Sequence, residues 1–178
     1  MSGQKKLVLF LISLIIIIAV LLILSEPAFS QAQPGNHFWF NLGLGSGTVG
    51  DNGGVSFLLN PCYQNQNNLW SFRLLFCGEL FGKSLNDYGI MYGRVLHSTT
   101  LFVSAGAGVA LVDGKISHGL FSGEETQKIN MIPGVPMEVQ LFWRPLSFIG
   151  LGLYGFANLN NEESFSGVAV TLQAGGLR

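Results

Sequence analysis

The sequence predicts an all-β protein: an eight-stranded antiparallel up-and-down transmembrane β-barrel, preceded by an N-terminal signal peptide helix. Three observations carry this. Charge is scarce, since only 11% of the 178 residues are Asp, Glu, Lys or Arg while 48% are hydrophobic; soluble domains carry about 25% charged residues. Apolar side chains recur at every second position in eight separate runs, which is the period of a strand with two different faces. Most runs cover about 8–12 residues, near the ~9–11 needed to cross a bilayer and beyond the ~5–6 usual in soluble sheets. A soluble barrel turns its apolar face inward and needs charges outside. This chain has almost none to place there, so the apolar face is assigned to lipid and the small polar face to the lumen.

The first element is a targeting segment. Lys5 and Lys6 precede Leu7–Leu24, a run that is apolar apart from Ser13, and Pro27 breaks it just before Ala28-Phe29-Ser30. The small residues Ala28 and Ser30 fit a signal-peptide cleavage site. Residues 1–30 are therefore expected to be removed, with Ser30-Gln31-Ala32 as a second site cutting before Gln33. The alternative is an uncleaved inner-membrane anchor, because the run reaches the lower edge of the ~17–25 residues that span. Residues 31–178 then form the barrel domain. Losing Lys5, Lys6 and Glu26 leaves seven positive and nine negative residues. That balance offers no basic surplus for nucleic-acid phosphates, and the apolar content excludes a disordered chain.

The strands follow in order. Phe38, Phe40, Leu42 and Leu44 alternate with Trp39, Asn41, Gly43 and Gly45. Val55, Phe57 and Leu59 form a weaker strand ending at Pro61. Trp70, Phe72, Leu74 and Phe76 alternate with Ser71, Arg73, Leu75 and Cys77. Tyr88, Ile90 and Tyr92 alternate with Gly89, Met91 and Gly93. Leu101 to Leu111 alternates with Phe102 to Ala110. Val135, Met137, Val139, Leu141 and Trp143 alternate with Pro136, Glu138, Gln140, Phe142 and Arg144. Ile149, Leu151 and Leu153 oppose Gly150, Gly152 and Tyr154, and Val168, Val170 and Leu172 oppose Ala169, Thr171 and Gln173.

Connection lengths orient the barrel. Outer-membrane barrels alternate short periplasmic turns with longer outer loops. Starting from the periplasmic end, the inner links are Tyr63–Asn68, His97–Thr99 and Arg144–Ser147. The outer links are Ser46–Gly53, Glu79–Asp87, Asp113–Asn130 and Leu159–Glu163, and the longest is an outer one. Trp39, Trp70 and Trp143 all fall at the periplasmic end, as an aromatic belt at the bilayer interface requires.

In this pattern the chain resembles the small eight-stranded outer-membrane barrels, of the Bacteroidetes-type outer membrane protein beta-barrel family. The stretches that carry the resemblance are Val135-Pro136-Met137-Glu138-Val139-Gln140-Leu141-Phe142-Trp143-Arg144-Pro145 and Gly150-Leu151-Gly152-Leu153-Tyr154-Gly155-Phe156-Ala157-Asn158. The resemblance implies residence in the outer membrane of a Gram-negative envelope. It is one of architecture, specific to no activity.

Assigning the apolar faces to lipid puts Arg73, Glu138, Gln140, Tyr154, Thr171 and Gln173 in the lumen as a structural polar network. Arg73 and Glu138 are expected to neutralise each other, because either one buried unpaired costs several kcal/mol. The competing reading of the same interior is a narrow channel or ligand site. A lipid-active enzyme on this scaffold needs a base beside a nucleophile near the outer leaflet. His37 and His97 map to the wrong end, and His118 sits in the long outer loop beside Ser117, Ser122, Glu124 and Glu125. No catalytic, cofactor or metal site is assigned, since Cys62 and Cys77 lack metal-ligand spacing. A disulfide between them is also excluded by register, because they fall about eight residues apart along a hairpin, ~26 Å at ~3.3 Å per residue. The Asp113–Asn130 loop holds five charged residues together with Ile116, Leu120 and Phe121. Ile116, His118, Leu120 and Phe121 are the candidate surface contact. The expected partners are outer-membrane lipid and an unidentified envelope or extracellular protein, with the barrel itself a monomer. The third alternative, tied to an uncleaved leader, is an inner-membrane-anchored periplasmic β domain.

Overall fold

The computed structural model describes residues 35–177 other than 51, 80–82, 98–99 and 117–126. The leader expected over residues 1–30 lies outside the described residues. Eight strands follow one another: β1 (Asn36–Val49), β2 (Asn52–Asn65), β3 (Asn68–Gly78), β4 (Ser84–His97), β5 (Leu101–Ile116), β6 (Gln127–Trp143), β7 (Ile149–Asn160) and β8 (Phe165–Gly175). Each pairs antiparallel with the next. β1 then pairs with β8, from Trp39 opposite Gly175 to Val49 opposite Phe165, closing the barrel. Closure removes every sheet edge along the paired length, the condition a sheet must meet to sit in hydrocarbon.

The strands overrun the bounds that alternation suggests. The link expected over Ser46–Gly53 is mostly ladder, with Gly47 opposite Gly54 and Val49 opposite Asn52; Gly50, at φ 60°, makes the turn. The Tyr63–Asn68 link contracts to a turn at Gln66, because Asn65 pairs with Asn68. The outer link expected at Glu79–Asp87 gives up its last residues to β4. The long loop expected at Asp113–Asn130 is corrected to residues 117–126, since Lys115 pairs with Lys128 and Ile116 with Gln127. The cause is common to all. Backbone pairing does not need apolar side chains, so a ladder continues past the membrane where the two-faced pattern stops. On β5 and β6 a bulge between Val112 and Gly114, with Met131 at φ 45°, marks that passage.

The two faces are opposite in character. Leu42, Leu44, Ile90, Leu151 and Val170 are exposed on the outside, and Val109 is 71% exposed. The inward positions between them are buried, and many are polar. The barrel is narrow, so glycine is required where a ring lies flat on the wall. Phe156 covers Gly47 and Gly167, where an added Cβ would come within 3.2 and 2.5 Å of the ring tip; at Gly167 it would also meet the Ser46 carbonyl oxygen at 2.3 Å.

Gly167→Val should therefore reduce the folded, heat-modifiable fraction on gels, by about 1–3 kcal/mol or more of overpacking. Gly53→Ala, where nothing lies within 4 Å, should change stability by less than about 0.5 kcal/mol.

Candidate functional site: a three-layer lumen

Inward-facing side chains fill the barrel in three layers. The outer layer is apolar: Val49, Leu58, Leu75, Cys77, Leu85, Val112, Ile129, Phe156 and Phe165 pack together with the ring of Tyr154. The inner layer, at the end bearing the β2–β3 and β6–β7 turns, packs Trp39, Cys62, Leu69, Val95, Phe102, Phe142 and Leu177. Between them lies a polar belt.

The belt is built from two charge-centred clusters. In the first, Arg73 on β3 is ion-paired with Asp87 on β4, both fully buried. Arg73 also donates to the carbonyl oxygens of Met137 at 3.0 Å and Ala157 at 3.3 Å, and Asn158 donates to the same Asp87 oxygen at 2.8 Å. In the second, Glu138 on β6 accepts from the Tyr154 hydroxyl, from Ser71 at 3.1 Å and from Gln140 at 3.0 Å. Asn41 ties this cluster to β2, donating to Gln140 at 3.3 Å and to Asn60 at 2.8 Å. The expectation that Arg73 and Glu138 pair with each other is corrected. Asp87 takes the arginine, because β4 begins at Ser84 and carries Asp87 inward on the same face as Gly89 and Met91. Glu138 is held by neutral donors instead.

The other lumen residues separate. Gln173 is fully buried but lies in the inner layer, where its side-chain oxygen accepts from Arg144 at 2.8 Å. Thr171 is buried against its own strand, donating to the Ala169 carbonyl at 3.4 Å, and joins neither cluster. Arg144, just past β6, has the inward parity of that run but was not among the expected lumen residues. It is buried, with its guanidinium 3.6 Å from the Phe102 ring centre and 4.6 Å from that of Trp39. Trp39 is therefore corrected from belt to lumen: it is 0% exposed and stands edge-on to Phe102 at 5.5 Å. Its parity, opposite to Phe38 and Phe40, dictates this. Trp70 and Trp143 do face outward, and Trp70 packs on Tyr92 at 4.9 Å. Among the contact-loop residues, Ile116 ends β5, while His118, Leu120 and Phe121 lie outside the described residues.

Chemically, this arrangement holds charge still. Both cysteines are free and buried, one in each apolar layer. Among the described residues no three His, Cys, Asp or Glu side chains are grouped to hold a metal. The described lumen carries an apolar cluster on either side of the polar belt, in keeping with an eight-stranded barrel just wide enough to be filled by side chains.

The fold class is that of the small outer-membrane β-barrels. The chain matches no protein-family model and no curated protein. Among solved structures it is similar to Neisserial surface protein A, with a TM-score of 0.60 and 8% identity over 78% of this chain and 96% of that one. The N-terminal barrel domain of Pseudomonas aeruginosa OprF gives 0.56 at 8% identity, covering 82% and 99%. Ail, the attachment invasion locus protein of Yersinia pestis, gives 0.53 at 12% identity, covering 79% and 96%. At such identities the likeness shows the fold alone.

A double-mutant cycle in urea tests the belt. Asp87→Ala should cost about 3–5 kcal/mol by stranding the Arg73 charge. Arg73→Ala with Asp87→Ala should show a coupling of about 1–3 kcal/mol, and Arg73→Ala with Glu138→Ala a smaller one. Equal couplings would return Glu138 as the partner.

Proposed function

We propose that this chain is a small outer-membrane barrel of the Bacteroidetes type, exported on a leader cleaved near residue 30, with a structural or surface-interaction role and no catalytic one. The observation that carries this is the filled lumen. With the interior packed in three layers and the outer wall apolar, what remains to meet a partner is the rim. A conducting channel on the same scaffold is disfavoured by the two apolar layers.

The rim is built for display. Lys83 and Glu163 bridge the β3–β4 and β7–β8 connections at 2.8 Å, and Asn86 donates to Asp113 at 2.8 Å. Above them β5 and β6 run on as a hairpin, with Lys115 directly opposite Lys128. This hairpin carries residues 117–126, including His118, Leu120 and Phe121, as the contact surface. Similar barrels support such a role: Ail has been solved in complex with the heparin analogue sucrose octasulfate.

Protease added to intact cells should cut near Lys115 or Lys128 and leave the barrel folded, and the intact mass of the envelope protein should lack residues 1–30. Cleavage only after the outer membrane is opened would reverse the orientation. A mass that includes Leu7–Leu24 would restore the anchored periplasmic alternative.

A further inference from the structure

The two apolar layers are not held in the same way. Every side chain of the outer layer comes from a strand: Val49 from β1, Leu58 from β2, Leu75 and Cys77 from β3, and so on round to Phe165 of β8. All but Ile129 are flanked by paired strands on both sides, and Ile129 is paired with β5, so opening that layer breaks strand ladders. The inner layer has one member outside any strand. Leu177 lies beyond β8, yet is only 3% exposed and packs with Trp39, Cys62 and Phe102.

A short strap brings it there. Past β8 the chain stays bonded to both neighbours, with Gly176 N–H donating to the Phe38 carbonyl at 2.8 Å and Leu177 N–H to the Ser147 carbonyl at 2.9 Å, which turns the Leu177 side chain into the inner layer. Arg144 fastens the far end, donating to the Leu177 carbonyl at 3.3 Å while also holding Gln173 at 2.8 Å and lying over the Phe102 and Trp39 rings. Local opening is least costly where few hydrogen bonds must break. Among the described residues three bonds hold the strap, each outside the strand ladders.

We propose that residues 176–177 form a latched lid over the inner mouth, with Arg144 as the latch, and that this lid opens while the barrel and its outer layer stay intact. Opening removes Leu177 from the inner layer and breaks its bond to the guanidinium, which stays tied to Gln173. That gives access to Cys62 and to the amide side chains of Asn41 and Asn60 beside it. Opening thus exposes the inner layer as far as the polar belt and leaves the outer layer packed.

The two free thiols report on the two ends, Cys62 in the inner layer and Cys77 in the outer. The full chain, folded in lipid vesicles, is treated with N-ethylmaleimide, and the label is located by peptide mass. Two variants loosen the strap. Gly176→Pro removes the N–H that bonds Phe38, at a position where an added Cβ meets nothing nearer than 3.6 Å. Leu177→Ala removes the side chain that fills the inner layer and adds no group for Arg144 to hold. In both, Cys62 should label roughly tenfold faster than in the parent, while Cys77 changes less than about twofold. Unchanged Cys62 labelling in both variants would overturn the lid. So would a parallel rise at Cys62 and Cys77, which reports loosening of the whole barrel.

Discussion

Pairing of β1 with β8 is the constraint from which the rest of this structure follows. A sheet in hydrocarbon has no water to satisfy an open edge, so the ladder must return on itself. Eight strands close into a tube too narrow for bulk water and wide enough only for side chains. Closure therefore decides at once that outward residues meet lipid and that inward residues meet one another. Leu44 and Ile90 on one face, and Asn41 and Gln140 on the other, are two consequences of the same ring of hydrogen bonds.

Charge inside such a tube has to be answered locally. Arg73 finds Asp87 on the adjacent strand and two carbonyl oxygens across the lumen. Glu138 is held by three neutral donors. Because a buried charge left alone costs several kcal/mol, each cluster pins the strands that supply it: β3 to β4, β6 and β7 around Arg73, and β3, β6 and β7 around Glu138. The apolar layers above and below keep water from competing with these bonds. The belt thus ties opposite walls together, and the interior becomes a brace.

The face of most strands was legible in the sequence, because one face meets hydrocarbon and tolerates only apolar groups. Arg73, Glu138, Gln140 and Tyr154 could be placed inward by parity alone. Trp39 could too, but grouping tryptophans by their position at strand ends gave its indole to the interface, against its own parity. Asp87 was hidden because polar residues at the top of β4 look like a loop. Where a strand leaves the bilayer, alternation is no longer enforced, as in the stretch Gln127 to Ile132, and the ladder continues without a signature. Arg144 shares the inward parity of Glu138 and Gln140, but as the first residue of the Arg144–Ser147 link it fell outside the expected lumen network. Which charges pair across a lumen depends on register between non-adjacent strands, and one-dimensional periodicity carries no such information.

The central claim is that lipid lies outside the barrel and that a closed, partly polar interior lies within. Quenching of tryptophan fluorescence by brominated lipids tests it most directly, using three chains that each retain one tryptophan and carry Phe at the other two positions. Trp70 and Trp143, which face outward, should be quenched strongly, and Trp39, enclosed with Phe102 and Arg144, should be nearly unaffected. Quenching of Trp39 to the same extent as the others, or of none of the three, would contradict the account.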